Sequence, residues 1–105
     1  MSEIVVRQLN LRRPVDVHQG DIIVLELEEN PLTGYSWDLA DVPAFVTVAE
    51  SSYEPATPPD LVALRVRRFR ILATATGEGT IEGHLRRPWD LANVAERFSV
   101  PLSVR

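Results

Sequence analysis

The chain has no cysteine, which excludes a disulfide framework, a thiolate zinc site and a cysteine nucleophile. It also has no lysine, and all eleven basic residues are arginine. Its 15 acidic residues outnumber these, leaving a net charge of −4 that opposes binding to nucleic acid. No apolar run approaches the ~20 residues that a membrane-spanning helix needs. The first residues, Met-Ser-Glu-Ile-Val-Val-Arg, contain neither a cationic segment nor a long apolar one. The expectation is a soluble chain, cytoplasmic as written, or exported if it is the trimmed mature form of a longer one. Phosphate-cradling glycine loops are absent, as is a Gly-x-Ser-x-Gly elbow. With two histidines, no thiol and no ligand-spaced cluster, neither a metal nor another cofactor is expected.

What is present is alternation. The 105 residues are enough for one domain, 1–105, with one core. Phe98, Val100, Leu102 and Val104 alternate with polar residues and proline, predicting a strand with one buried face. Pro101 cannot donate to a ladder and places part of this strand at an edge. Ile4–Leu9, Ile22–Leu27, Phe45–Glu50 and Thr80–Leu85 read as further strands. From Leu61 to Thr76, Leu64 and Val66 are in one phase, while Phe69, Ile71 and Ala73 are in the other; a β-bulge at Arg67-Arg68 would reconcile them. The best helical candidate is Asp90–Glu96, where Leu91, Val94 and Ala95 could share a face. Seven or eight short strands with frequent turns predict an all-β, immunoglobulin-like antiparallel β-sandwich, and Trp37 is placed to pack between its sheets. A small barrel is the alternative architecture.

Catalysis finds little support in the residues. His18 and His84 have no evident nucleophile partner, and Glu28 and Glu29, adjacent on a strand, point to opposite faces. Arg65, Arg67, Arg68 and Arg70 read as a solvated strand face or a protected edge rather than a nucleic-acid patch, which would want aromatic interleaving and net positive charge. Two connections differ from the rest. Asn30-Pro31-Leu32-Thr33-Gly34 is a stiff turn in which Pro31 fixes one φ, Gly34 can adopt a positive one, and Asn30 can bond backbone donors. Arg86-Arg87-Pro88-Trp89-Asp90 sets a large aromatic in a polar connection, either folded back on the core or displayed as a binding anchor. On an immunoglobulin-like sandwich the two would share one end.

Asn30-Pro31-Leu32-Thr33-Gly34-Tyr35-x-Trp37 resembles the Asn-Pro-x-Thr-Gly-aromatic-x-Trp motif of the chagasin-type (chagasin/amoebiasin-like) inhibitors of papain-like cysteine proteases. Arg87-Pro88-Trp89 resembles their second signature, followed by Glu96-Arg97-Phe98 before the final strand. The resemblance extends from Gly20 to Val104. It implies an immunoglobulin-like fold and a reversible, non-enzymatic inhibitor whose partner is a papain-like cysteine protease, with a monomer sufficing. By that resemblance Asn30, Pro31, Leu32, Thr33 and Gly34 would cover the catalytic cysteine of the protease, and Trp89 would pack beside the cleft, with Arg87 and Pro88 shaping its loop. Two departures stand out. Leu32 replaces the usual threonine, and Val62-Ala63-Leu64-Arg65, which reads as strand, occupies the place of a Gly-x-Gly-Gly contact loop. The Tyr53–Arg65 segment could supply a third contact in its stead. The alternatives are an immunoglobulin-like binding module with a non-protease partner and a small hydrolase, the latter requiring a histidine beside a serine and a carboxylate.

Overall fold

A computed structural model describes residues 2–55 and 65–105. Period-two alternation puts every second side chain on one face, and two such faces can bury each other. The described residues form eight strands: β1 (Glu3–Arg7), β2 (Val15–Val17), β3 (Ile22–Glu29), β4 (Ser36–Asp41), β5 (Val46–Pro55), β6 (Arg65–Ala73), β7 (Gly77–Arg87) and β8 (Asp90–Val104). They make two four-stranded sheets, ordered β1-β3-β6-β5 and β2-β8-β7-β4. The sandwich is antiparallel except that β1 joins β3, and β2 joins β8, in parallel. Ile23, Leu25 and Leu27 of β3 and Phe69 and Ile71 of β6 meet Trp37, Ile81, Phe98, Val100 and Leu102 of the other sheet.

Trp37 lies between the sheets as expected. It is 2% exposed, with its ring 5.6 Å from that of Phe98 at 59°. Phe98 lies over Gly83, its cross-strand partner on β7; a Cβ on Gly83 would come within 2.1 Å of the Phe98 ring. Glycine is needed here for space, not for its φ.

Two of these sequence expectations change. Asp90–Glu96 is the first part of β8, not a helix. Leu91 and Ala95 are exposed and Val94 is half-buried, so a helix would have had no face to bury, whereas pairing with β7 satisfies the backbone. There is no bulge at Arg67-Arg68: β6 pairs in unbroken register with β3, and the irregularity lies in the partner strand β5, between Val48 and Glu50. Val66 simply faces outward, lining a shallow depression with Arg7, Gln8, Glu26 and Glu28. Pro101 lies, as expected, where β8 is still an edge, since β2 begins to pair only where Val15 meets Leu102.

The arginines of β6 divide by phase. Arg68 and Arg70 face outward: Arg68 bonds Glu26 and Glu54, and Arg70 bonds Glu3 at 3.1 and 3.2 Å and lies 3.8 Å from Glu50. Arg65 and Arg67 share the inward phase of Phe69 and are half-buried at the mouth of the sandwich, which corrects their reading as a solvated face.

Two carboxyls are held below their ordinary range. Asp21 accepts the backbone N–H groups of His18 at 2.9 Å and Ser2 at 3.0 Å, fastening the N-terminus to the turn before β3. The Arg68 guanidinium bonded to Glu26 lowers that carboxyl, with Arg7 adding to the effect. A carboxyl more acidic folded than unfolded adds stability above its unfolded pKa, near ~4, and that stability is lost as the pH falls through the folded value. The melting temperature is therefore expected to be flat from neutrality to about pH 5 and to fall below about pH 4. Asp21→Asn should melt lower at pH 7 and show a shallower acid decline; an unchanged slope in melts followed by circular dichroism would remove Asp21 as a source. Gly83→Ala should destabilise by about 1–3 kcal/mol through overpacking against Phe98, lowering the melting temperature by about 4 °C or more. A melt within a degree of the parent would mean that Phe98 yields freely.

Candidate functional site

The ends of β3, β5 and β7 and the starts of β4, β6 and β8 lie together. Glu29 is opposite Arg65, Arg65 opposite Pro55, Ser36 opposite Arg86, and Arg87 opposite Asp90. Three connections therefore leave the sandwich at this end: 30–35, 56–64 and 88–89. Both candidate loops are among them. Val62, Ala63 and Leu64 of the expected third contact lie outside the described residues, as does the rest of 56–64; Tyr53 and Arg65 stand on the strands that flank it.

The first loop is stiff because its own groups satisfy one another. Asn30 is extended, as expected before proline (φ −106°, ψ 103°), and its Oδ1 accepts Leu32 N–H at 3.0 Å. Pro31–Thr33 make a single 3-10 turn. Thr33 donates both its N–H, at 3.2 Å, and its hydroxyl, at 2.8 Å, to Asn30 O, while Thr33 Oγ1 accepts Tyr35 N–H at 3.3 Å. Gly34 closes the turn at φ 78°, ψ −5°, a left-handed conformation that suits glycine. With its neighbours' polar atoms turned inward, Leu32 is displayed at 79% exposure.

The second loop rests on the first. Arg87 Nε donates to Thr33 O at 3.0 Å, and its guanidinium lies 4.4 Å from the centre of the Tyr35 ring and 6.0 Å from that of Trp89. The Trp89 indole lies against Gly34 so closely that a Cβ there would be 2.5 Å from Cη2. Trp89 is nevertheless 73% exposed, which resolves the two sequence readings in favour of display. Pro88 is exposed in the turn between β7 and β8. Behind the loop, Arg86 Nε donates to Asp38 at 3.0 Å and its Nη1 to Leu91 O at 3.3 Å. The structure thus brings all eight candidate residues, Asn30 to Gly34 and Arg87 to Trp89, to one continuous edge.

Sequence reasoning passed over the residue beneath that edge. Glu29 continues the inward phase of Ile23, Leu25 and Leu27, and its side chain is fully buried. Its Oε2 accepts Trp37 N–H at 2.8 Å and the Ser36 hydroxyl at 3.4 Å; its Oε1 accepts Arg65 Nε at 3.0 Å and lies 2.9 Å from Arg65 Nη2. The phase was visible in the sequence, but the partner lies 36 residues away. The histidines form no catalytic constellation: His18 is 3.9 Å from Asp21, and neither histidine shares a hydrogen bond with a serine among the described residues.

Stiff, self-satisfied loops with an exposed leucine and tryptophan, mounted on a rigid sandwich, define a binding scaffold, not a reaction pocket. The model of the chagasin family peptidase inhibitor I42 matches residues 16–104, and the chain belongs to that family of inhibitors, which are not enzymes. Its fold is that of the cysteine protease inhibitor EhICP2 from Entamoeba histolytica (TM-score 0.89, 18% identity, covering 99% of this chain and 96% of that one). Amebosin in solution is similar as well, with TM-score 0.81 and 25% identity over 98% of each chain. A structure of PbICP-C in complex with falcipain-2 matches at TM-score 0.59 and 21% identity, over 98% of this chain and 89% of that one. No curated protein matches the chain by sequence.

With Trp37 buried and Trp89 exposed, the two tryptophans of the chain should separate in fluorescence quenching. Acrylamide is expected to quench one component strongly and red-shifted, and Trp89→Phe to remove that component alone. A single weakly quenched component in the parent would place Trp89 against the core.

Proposed function

We propose that this protein is a reversible inhibitor of papain-like cysteine proteases that inserts the Asn30–Gly34 and Arg87–Trp89 edge into the active-site cleft. The observation that carries the reading is the joining of the two loops through Arg87 Nε and Thr33 O, with Leu32 and Trp89 left in solvent, in a chain of this inhibitor family. Leu32 enters the cleft above the catalytic cysteine, and Trp89 lies against the apolar wall beside it. Pro88 and the Arg87 stack hold the indole in place. Protease–inhibitor interfaces bury roughly 800 Å² on each partner, and central aromatic anchors dominate their energy.

The loop resists cleavage for a structural reason. A protease reads an extended backbone, whereas Pro31–Thr33 form a 3-10 turn whose carbonyls are engaged: Asn30 O by Thr33, Pro31 O by Gly34 N–H at 3.3 Å, and Thr33 O by Arg87. Opening the turn to present a scissile bond would break these contacts together. Occlusion is therefore reversible and needs no chemistry from the inhibitor.

Titration against papain and a cathepsin L-type enzyme with a fluorogenic peptide substrate tests the reading. Saturable inhibition is expected. Trp89→Ala should weaken it by about 2–4 kcal/mol, roughly 30- to 1000-fold, and Leu32→Asp should weaken it through a charge buried in the cleft. Parent-like inhibition by both variants would mean that the wrong edge has been assigned. No inhibition of either enzyme by the parent, with recovery of a non-protease partner through the same loops, would favour a binding module.

A further inference from the structure

A carboxylate buried between two sheets carries a heavy desolvation penalty, and an ion pair formed there rarely adds net stability. Glu29 is such a group, and it stands where the binding edge is attached to the sandwich. It immediately precedes Asn30. Its Oε2 holds Ser36 and Trp37, the first residues after the loop, and its Oε1 holds Arg65, the first described residue after 56–64. The Arg65 guanidinium lies 3.9 Å from the centre of the Tyr53 ring, on the strand leading into 56–64, and Arg67 lies 4.2 Å from the same ring. The Tyr53 and Ser36 hydroxyls share a hydrogen bond at 3.0 Å, closing a circuit through β3, β4, β5 and β6. One carboxylate therefore joins both ends of the first loop to the strands flanking the second, and Arg87 ties the third connection to the first.

We infer that Glu29 is the positioning residue of the inhibitory edge: its carboxylate fixes the Asn30–Gly34 loop relative to Arg65 at the start of β6 and, through Ser36, Tyr53 on β5, so that the loop is already in its binding arrangement before it meets a protease. Glu29 is buried and acts through Ser36, Trp37 and Arg65. This inference rests on the inhibitor reading above. Preorganisation raises affinity by removing ordering that binding would otherwise have to impose. The circuit needs a group that accepts hydrogen bonds from both sides, which only the carboxylate does. In Glu29→Gln the amide nitrogen would face either Trp37 N–H or the Arg65 guanidinium, donor against donor.

The test combines inhibition with backbone amide exchange measured by NMR in the free protein. Glu29→Gln is expected to inhibit papain at least tenfold less well at 25 °C while remaining folded by circular dichroism. The Leu32, Thr33, Gly34 and Trp37 amides should exchange at least tenfold faster, while those of β7 and β8 stay unchanged. Arg65→Gln, at a partly exposed position that folding tolerates, should shift both readouts the same way, and the double variant should be no worse than the weaker single one. Val104→Ala, which truncates a buried side chain of β8 paired with Gly77 and Val17 at the opposite end of the sandwich, is the control for stability alone and should inhibit as the parent does. Inhibition by Glu29→Gln within twofold of the parent overturns the inference. So does unchanged exchange in the loop, or effects of Glu29→Gln and Arg65→Gln that simply add. Should Glu29→Gln fail to fold, Arg65→Gln alone decides by the same two readouts. If the parent does not inhibit, the inhibitor reading fails, and the exchange data still judge the positioning role: faster loop exchange upholds it and unchanged exchange overturns it.

Discussion

Much of this molecule depends on how Trp37 joins its two sheets. The residue belongs to β4, yet both of its nitrogens bond to β3 in the opposite sheet: the backbone N–H to the Glu29 carboxylate and the indole Nε1 to Glu28 O at 3.0 Å. Its ring fills the space beside Phe98. A sandwich held by apolar contact alone can slide, because hydrophobic burial is non-directional. Two directed hydrogen bonds from one buried side chain and its backbone fix the offset between the sheets at the end where the loops emerge. The strands then give the loops their spacing, while hydrogen bonds within Asn30–Tyr35 and from Arg87 to Thr33 O hold their shape.

The outer face of the β1-β3-β6-β5 sheet follows another logic. Arg7, Arg68 and Arg70 alternate across the strands with Glu3, Glu26, Glu50 and Glu54. Exposed pairs of this kind add little stability individually. Their value lies in keeping a broad sheet face and its long β5 edge charged and internally neutralised, which discourages pairing with another chain. The basic stretch that drew notice in the sequence is thus committed largely to carboxylates, and among the described residues the most exposed large apolar side chains are Leu32 and Trp89.

The sequence disclosed the parts of this design that are local. Alternation predicted the sandwich, Trp37 its centre, and proline and glycine the stiff turn at Asn30–Gly34. Where the reading failed, the deciding partner was distant. Asp90–Glu96 has helical spacing, but the ladder with β7 settles its conformation. The change of phase at Arg67-Arg68 resembled a bulge because Val66 was assumed to face inward; in the fold it contributes aliphatic surface to a charged outer face. Glu29 was dismissed as one of two adjacent acids, although Ile23, Leu25 and Leu27 place it in the core phase. Nothing nearby could reveal Arg65 or Trp37 N–H as its partners. The eight residues of the edge were legible as two motifs, but not the hydrogen bond and the indole–glycine contact that make them one surface.

That contact also explains why glycine and tryptophan occur together. Gly34 lies at a φ that disfavours other residues, and its bare Cα is the floor on which the Trp89 ring rests. Any side chain at Gly34 would strain the turn and displace the indole in one step. Arg87 then spans the junction, bonding Thr33 O while its flat guanidinium covers Tyr35. The result is an exposed aromatic that has already lost most of its rotational freedom. Immobilising a rotamer-rich side chain on binding costs about 0.5–1.5 kcal/mol, so an anchor fixed in advance retains more of its contact energy. The same holds for Leu32, whose backbone is fixed by Asn30 and Thr33. The leucine replaces the hydroxyl of the family's usual threonine with a larger apolar group, exchanging a hydrogen-bonding tip for one that gains only from burial. In the proposed mode of binding, selectivity among clefts turns on whether the site above the cysteine can enclose a branched aliphatic side chain, a geometric requirement that the stiff loop enforces because it cannot move aside.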